Sequence, residues 1–218
     1  MHHIGNDIVD LKTPEALGKA ADTRFIERVL NPEEQRLVYN SDHPDTIVWA
    51  LWAAKETAFK AVSKSHPNAS SAPGRYPVIL DPERINDSGT GMVMTQNGRV
   101  QVKIDFHDDY VHCIGIFSIA ENLESIISRI GKINTDTSTA ANDSISEKES
   151  SAVRRLAKKG IASWLQLNEQ DIQIIRYNKD NRLYPPMVYA KGKATNMEIS
   201  LSHDGRFAAC AFFANSSN

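Results

Sequence analysis

The spacing of apolar and polar residues predicts a first lobe of helices and strands that ends near residue 120. Apolar residues recur along Pro44–Ser63 with the period of an amphipathic helix. Later runs have the apolar character of strands, and Asn97-Gly98 is typical of a hairpin turn between two of them. The predicted helices are Phe25–Leu30, Asn31–Asn40 and Pro44–Ser63, and the predicted strands are Ile4–Leu11, Tyr76–Leu80, Gly91–Thr95, Val100–Phe106 and Tyr110–Ile119.

A polar stretch separates this lobe from a second, smaller one. Residues 131–150 hold no aromatic side chain and few apolar ones, which predicts a flexible linker. Beyond it we expect a basic amphipathic helix over Glu149–Leu167, then strands over Asp171–Tyr177, Met197–His203 and Arg206–Ala214. We divide this predicted α+β chain into a first lobe (1–120), a helix end and flexible linker (121–150) and a second lobe (151–218).

The two lobes end in similar sequences. His107-Asp108 and His203-Asp204 each precede an apolar strand, at a separation of 96 residues. Because a helix followed by strands also occurs in both lobes, the pattern favours an internal duplication.

The formal net charge of −2 conceals an uneven distribution. Residues 1–120 hold 12 Lys and Arg against 16 Asp and Glu, residues 121–150 hold 3 against 6, and residues 151–218 hold 10 against 5. The total excludes a strongly basic nucleic-acid binder, whereas the basic end of the chain predicts contact with an anion.

The apolar runs and the cysteines also indicate the cellular compartment of the protein. The N-terminal MHHIGNDIVD lacks the apolar core of a signal peptide, and the apolar runs are far shorter than the roughly twenty residues that span a bilayer. Cys113 and Cys210 lie in apolar runs and form no spaced framework. These features predict a cytoplasmic protein with free thiols and no membrane contact.

Asp7 is the first candidate for chemistry. It shares one face of the predicted strand with Gly5, Val9 and Leu11, and an acid on an apolar face is costly unless it has a partner. Asp7 is therefore either a paired acid or a strand end in water, or else a metal ligand.

The long helix carries the second group of candidates. Lys55 lies in the middle of the apolar stripe, and Glu56 and Lys60 follow at a spacing of one helical turn. One interpretation is a lysine whose stem covers apolar surface beside a routine surface ion pair. The other is a cluster that handles phosphate and metal.

His203 is the third candidate. It follows Ser200-Leu201-Ser202 and precedes Asp204-Gly205, so it either caps a hairpin or meets a phosphate with help from the neighbouring hydroxyls.

Together the three segments resemble a known family. GNDIVDL (Gly5–Leu11), WAAKETAFKA (Trp52–Ala61) and SLSHDGRFAACA (Ser200–Ala211) resemble the G-x-D, W-x-x-K-E-x-x-x-K and S-x-S-H signatures of 4′-phosphopantetheinyl transferases. FIERVL followed by NPEE is similar to a segment of the small holo-acyl-carrier-protein synthases. The resemblance covers roughly 1–119 and 150–214.

The order of the motifs differs from that of the two-repeat members of the family, in which the S-x-S-H half comes first. The resemblance thus implies a permuted pseudo-dimer, with two similar α/β lobes packed about a pseudo-twofold axis and in the family's fold. A chain with both halves needs no second copy, which implies a monomer.

The resemblance implies transfer of 4′-phosphopantetheine from coenzyme A to a serine of an apo acyl or peptidyl carrier protein, with release of 3′,5′-ADP. It implies Mg²⁺, with Mn²⁺ as an alternative, held by Asp7 and Glu56. Val9 stands where some two-repeat members have a third acid, and Asp10 faces the wrong way to replace it. Whether the carrier serves fatty-acid, polyketide or peptide synthesis stays open.

The same resemblance assigns roles to the other candidates. Lys55 and Lys60 match phosphate-contacting lysines, and either Glu56 or a metal-bound water deprotonates the serine. His203, helped by Ser202, matches a histidine on the 3′-phosphate of coenzyme A. The further cations for that phosphate are Arg154 and Lys158, with Arg155 and Lys159 beside them.

Only one catalytic site is expected. Lys159 stands in the second lobe where Glu56 would be repeated, so His107 is expected to be structural. Two other interpretations are a non-catalytic module that binds carrier protein or coenzyme A on the same fold, and a structural α+β protein.

Overall fold

The computed structural model describes residues 2–80, 88–118, 123–133, 145–179 and 182–214, and it confirms the α+β class. Within these ranges the helices are α1 (Thr23–Val29), α2 (Pro32–Tyr39), α3 (Pro44–Ser63) and α4 (Ile145–Leu165). The strands are β1 (His3–Asp10), β2 (Val78–Leu80), β3 (Ser88–Thr95), β4 (Gly98–Phe106), β5 (Tyr110–Phe117), β6 (Ile127–Lys132), β7 (Ile172–Ile175), β8 (Asn178–Lys179), β9 (Arg182–Leu183), β10 (Met187–Ala190), β11 (Lys193–Ala194), β12 (Met197–Asp204) and β13 (Phe207–Ala214).

The first lobe is an antiparallel sheet covered by α3. Its strand order is β1-β5-β4-β3-β2, and β1 pairs with β5 along its whole length. The predicted hairpin is confirmed, since Thr95 pairs with Gly98, whose φ of 132° favours glycine. The N-terminal strand is thereby fixed beside the long helix.

The second lobe contains two three-stranded antiparallel sheets, β12-β13-β6 and β11-β10-β7, so it includes β6, which lies before the predicted range of 151–218. Helix α4 packs on β13, β12 and β7, and its buried Ala157 and Ile161 join a core with Ile199 and Phe212. Each lobe therefore consists of a long helix on antiparallel strands.

Strand β1 is buried on both faces, which explains why its sequence mixes apolar and polar residues. Ile4 packs with Phe213 of the second lobe, and Ile8 packs with Phe207. The alternate residues face α3, where Val9 joins the core of the first lobe. The strand is thus the seam between the two lobes.

Gly5 allows β1 to lie unusually close to α3. A Cβ atom at this position would lie 1.9 Å from the carbonyl oxygen of Thr57, which no side chain tolerates. The first residue of the G-x-D motif therefore sets the distance between the strand that carries Asp7 and the helix that carries Glu56.

Both ends of the predicted linker, 131–150, belong to regular elements. Gly131 and Lys132 complete strand β6, which the sequence pattern missed, and α4 begins at Ile145 rather than near Glu149. The central residues 134–144 lie outside the described residues. Strands β8 to β11 were also missed, because runs of two to four residues leave no measurable alternation.

None of the helices in the described part of the chain has the length and apolar character needed to cross a bilayer.

His112 lies in β5 with its ring fully buried, and neither ring nitrogen has a hydrogen-bond partner among the described residues. Burial lowers the pKa of His112 from 6.5 to about 4. Between pH 4 and pH 6.5, His112 is therefore protonated in the unfolded chain and neutral in the folded chain. The contribution of His112 to the free energy of unfolding is therefore complete above pH 6.5 and is lost as the pH drops towards 4.

We expect His112 to lower the free energy of unfolding by about 3 kcal/mol when the pH is lowered from 7.5 to 4. In urea unfolding at both pH values, His112→Leu is expected to lose that much less stability than the wild type. The acids titrate in both proteins, so only the difference between them reports on His112. An equal loss in the two proteins would contradict the prediction.

Candidate functional site

Asp7, Glu56 and Lys60 meet where β1 crosses α3. Lys60 Nζ donates to Asp7 Oδ1 at 2.7 Å and to the backbone oxygen of Asn6 at 3.1 Å. Glu56 lies one turn earlier on the helix, and with Asp7 it lines one cleft of about 300 Å³. The structure thus brings Asp7 together with two residues that lie 49 and 53 positions later in the sequence.

The electrostatics of the two acids are coupled. Burial raises the pKa of Asp7, opposed by the ammonium of Lys60. Burial also raises the pKa of Glu56, and the negative charge of Asp7 raises it further. With both carboxylates ionised, Lys60 balances one of their two negative charges.

This donor set fits a magnesium ion. Mg²⁺ takes one or two carboxylates and completes its shell with water and substrate phosphates. Two partly buried carboxylates that repel each other in one cleft meet that requirement, and within the described residues no group of three or more His, Cys, Asp or Glu forms an alternative centre.

His203 joins this site from the second lobe. It lies near the end of β12 and lines both the small cleft with Asp7 and Glu56 and a larger neighbouring cleft of about 750 Å³. Its Nδ1 atom lies 3.3 Å from Glu149 Oε2 of α4. A molecule that occupies both clefts would therefore touch both lobes.

The larger cleft is rich in cations. Arg154 of α4 lines it beside Lys60, as the sequence predicted, and so do Lys64 and Arg176, which the sequence analysis missed. Burial and the charge of Arg154 lower the pKa of Arg176, so the two guanidinium groups are close enough for their charges to repel. The basic excess of residues 151–218 was the available signal for Arg176.

Lys64 is held in place at the edge of this cleft. Its ammonium donates to Glu198 Oε2 and to the backbone oxygen of Ile199, both at 2.8 Å. Burial lowers the pKa of Lys64, against the opposing effect of Glu198.

Lys55 does not reach either cleft, which corrects its expected contact with phosphate. Its side chain is 1% exposed, and its ammonium donates to both carboxylate oxygens of Glu34, at 2.7 and 2.9 Å, and to the backbone oxygen of Tyr76 at 2.9 Å. These bonds use all three of its protons. The position of Lys55 in the apolar stripe was the sequence signal for this burial.

Ser202 also points away from the clefts. Its Oγ atom accepts from Asn6 Nδ2 at 2.9 Å, while Ser200 Oγ accepts from the Asn6 backbone N–H at 2.9 Å. Both serines are nearly buried. The hydroxyls of the S-x-S-H segment therefore join β12 to β1. Ser200 also lines the larger cleft beside His203, whereas Ser202 lines neither cleft.

Asp10 completes the seam between the lobes. As predicted it faces away from Asp7, and Arg206 donates to its carboxylate through Nε at 2.8 Å and Nη2 at 2.7 Å. Burial acts to raise the pKa of Asp10, but the hydrogen bonds from Arg206 outweigh burial and lower it.

Lys158, Arg155 and Lys159 line neither of the two clefts that contain His203. Arg155 and Lys159 lie instead at a separate cleft near β6. Of the predicted cations on α4, Arg154 is the one that the structure brings to His203.

Solved structures give fold similarities at low identity. A holo-[acyl-carrier-protein] synthase from Neisseria meningitidis is 22% identical, with a TM-score of 0.41 over 52% of this chain and 95% of that one. An ACPS–CoA complex from Chronobacterium ammoniagenes is 20% identical, with a TM-score of 0.41 over 53% and 96%. A holo-[acyl-carrier-protein] synthase from Thermotoga maritima is 13% identical, with a TM-score of 0.41 over 89% and 86%.

No curated protein matches the sequence. A family model does: the model of the 4′-phosphopantetheinyl transferase superfamily matches residues 3–111, half of the chain, including Asp7, Glu56 and Lys60. The chain therefore belongs to the 4′-phosphopantetheinyl transferase superfamily.

Proposed function

We propose that this protein transfers 4′-phosphopantetheine from coenzyme A to a serine of an apo acyl or peptidyl carrier protein, releasing 3′,5′-ADP. The observation that carries the proposal is the cluster of Asp7, Glu56 and Lys60 beside His203, at the junction of a small acidic cleft and a large cationic one. Acidic residues in one cleft and cations in the other suit a reaction that cleaves a pyrophosphate bond.

The larger cleft is the proposed site for coenzyme A. Arg154, Arg176 and His203 supply positive charge and hydrogen-bond donors for phosphate groups, while Pro185 and Pro186 supply an apolar wall. The volume of about 750 Å³ lies within the range that small-molecule sites occupy.

The small cleft is the proposed entrance for the carrier serine. Trp49 and Trp52 line its apolar side, and Glu56 lines both this cleft and the larger one. A serine that enters there would reach the Glu56 carboxylate, which also borders the proposed site for the phosphates.

In the proposed reaction, the serine oxygen attacks the phosphorus that bears the pantetheine. The bond from that phosphorus to the oxygen of the departing 3′,5′-ADP breaks, and the serine proton passes to the Glu56 carboxylate. In the protein without metal, burial and the charge of Asp7 raise the pKa of Glu56, so its carboxylate is a stronger base than that of an exposed glutamate. A bound Mg²⁺ would oppose this shift.

Lys60 has two proposed tasks. Its ammonium fixes the Asp7 carboxylate at 2.7 Å, and it lines the larger cleft, where a positive charge stabilises the negative charge that develops on the leaving phosphate.

Asp7 and Glu56 are the proposed ligands of Mg²⁺, with Mn²⁺ as the alternative. The ion, when bound, would neutralise charge on the pyrophosphate. Because both lobes of one chain contribute to the site, we propose that a monomer is sufficient.

Incubation with coenzyme A, Mg²⁺ and several apo carrier proteins tests the proposal. We expect the mass of at least one carrier to increase by one phosphopantetheine group, and the increase to disappear when a chelator removes the metal. A non-catalytic module would bind coenzyme A and leave the mass of every carrier unchanged, and that result would overturn the proposal.

A further inference from the structure

A third cleft lies in the second lobe, away from His203. It has a volume of about 300 Å³ between the end of β6, the middle of α4 and the start of β13. Lys132, Arg155 and Lys159 line it, and none of its lining residues in the described part of the chain is acidic. We call it the cationic cleft.

The strands beside this cleft repeat the registers of the first lobe. Asp7 of β1 lies opposite Cys113 of β5, and Arg129 of β6 lies opposite Cys210 of β13. Three positions further along each strand, Asp10 lies opposite Tyr110 and Lys132 lies opposite Phe207. Strand β6 thus has the place in the second lobe that β1 has in the first, with cations where β1 has acids.

The helices show the same replacement. Ala54-Lys55-Glu56 of α3 is echoed by Ala157-Lys158-Lys159 of α4, so Lys159 stands where the first lobe has Glu56.

Arg155 and Trp52 occupy corresponding positions one turn earlier on their helices. Trp52 lines the acidic cleft, and Arg155 lines the cationic one. The cationic cleft is therefore the counterpart of the cleft of Asp7 and Glu56 with the sign of its charge inverted.

The three cations are available to a ligand. Their side chains are exposed, and among the described residues none of them forms an ion pair. A cleft with three unneutralised cations repels a metal ion and attracts an anion. A guanidinium beside two ammonium groups matches the oxygens of a phosphate, which accept bidentate and single hydrogen bonds.

We propose that the cationic cleft binds the phosphate group of a small molecule directly, without a metal ion. The small volume of about 300 Å³ favours one or two phosphate groups over a larger part of a ligand. This site is separate from the proposed catalytic clefts and does not depend on the transfer reaction.

Inorganic pyrophosphate is the probe, titrated without divalent metal into ¹⁵N-labelled protein. We expect the amide signals of Gly131, Lys132 and Ala208 to shift and saturate, because these residues line or border the cleft. Residues of the larger cleft report separately on any binding there. A titration with 3′,5′-ADP distinguishes phosphate on a nucleotide from free phosphate.

Lys159→Ser and Arg155→Ser are each expected to weaken this binding by at least about tenfold. Lys148→Ser is the matched control, since it removes one exposed positive charge from the same helix outside the cleft. The proposal is overturned if the amide signals do not saturate, if Lys148→Ser weakens binding equally, if binding requires Mg²⁺, or if a glutamate peptide binds more tightly than both phosphate probes.

Discussion

Glu56→Gln is expected to lower the rate of phosphopantetheine transfer by about 10²- to 10⁴-fold, because it removes the proposed base and one proposed metal ligand while keeping the shape of the side chain. The measurement is the mass of an apo carrier over time at saturating coenzyme A and Mg²⁺. The folded structure should survive, since an amide is easier to bury than a carboxylate whose pKa is already raised.

The pH dependence identifies the role of Glu56. The base must be ionised, so the wild-type rate should rise with pH as the Glu56 carboxylate ionises. Burial and Asp7 raise the pKa of Glu56 above 4.5 in the metal-free protein, and bound Mg²⁺ would oppose that rise. In Glu56→Gln this rising limb should disappear from the residual rate. If the limb persists unchanged, another group is the base.

His107→Ala is the control for this experiment. His107 is exposed and stacks on Tyr110, and it lines neither the small cleft nor the large one. We expect its transfer rate to stay close to that of the wild type. An equal loss in His107→Ala and Glu56→Gln would contradict the assignment of one asymmetric site.

Lys55→Met is expected to lower the free energy of unfolding by about 3–5 kcal/mol, because it leaves the buried Glu34 carboxylate without its ammonium partner. Glu34 is 1% exposed, and besides Lys55 it accepts from the backbone N–H groups of Asn31 and Val78. Urea unfolding measures the loss, and Lys55→Met/Glu34→Leu should recover part of it.

Activity separates this structural role from a catalytic one. Per folded molecule, Lys55→Met should keep its transfer rate, since the ammonium lines neither cleft. Lys103→Met is the matched control, because it breaks an exposed pair with Asp105 and should cost at most about 1 kcal/mol. A stable but inactive Lys55→Met protein would restore the phosphate-contacting role that the motif implied.

Some motif residues lie at the clefts and Lys55 does not, and this difference shows what a sequence pattern can predict. Asp7, Glu56 and Lys60 could be placed together through the resemblance to the family's motifs, since spacing alone relates only Glu56 to Lys60 on one helix. Lys55 is next to Glu56 in the chain, yet it points to the other side of α3, where its partner comes from α2. The spacing indicated that side, but no local pattern identified Glu34 as the partner.

The second lobe was harder to predict for a physical reason. Ser200 and Ser202 alternate with apolar residues as on a half-exposed strand, but their hydroxyls are satisfied by Asn6, nearly two hundred positions earlier. Strand β6 was missed because Arg129, Gly131 and Lys132 interrupt its apolar pattern. Two of these residues, Gly131 and Lys132, line the cationic cleft.

The two buried cysteines have a practical consequence. Cys113 and Cys210 lie at matching registers of β5 and β13, and burial raises the pKa of both thiols, that of Cys210 to about 12. Neither forms the reactive thiolate at neutral pH while its sheet is closed. Each lobe thus carries its own chemical reporter of opening. Counting one or two alkylated thiols per molecule by mass will tell whether the lobes unfold separately or as one cooperative unit.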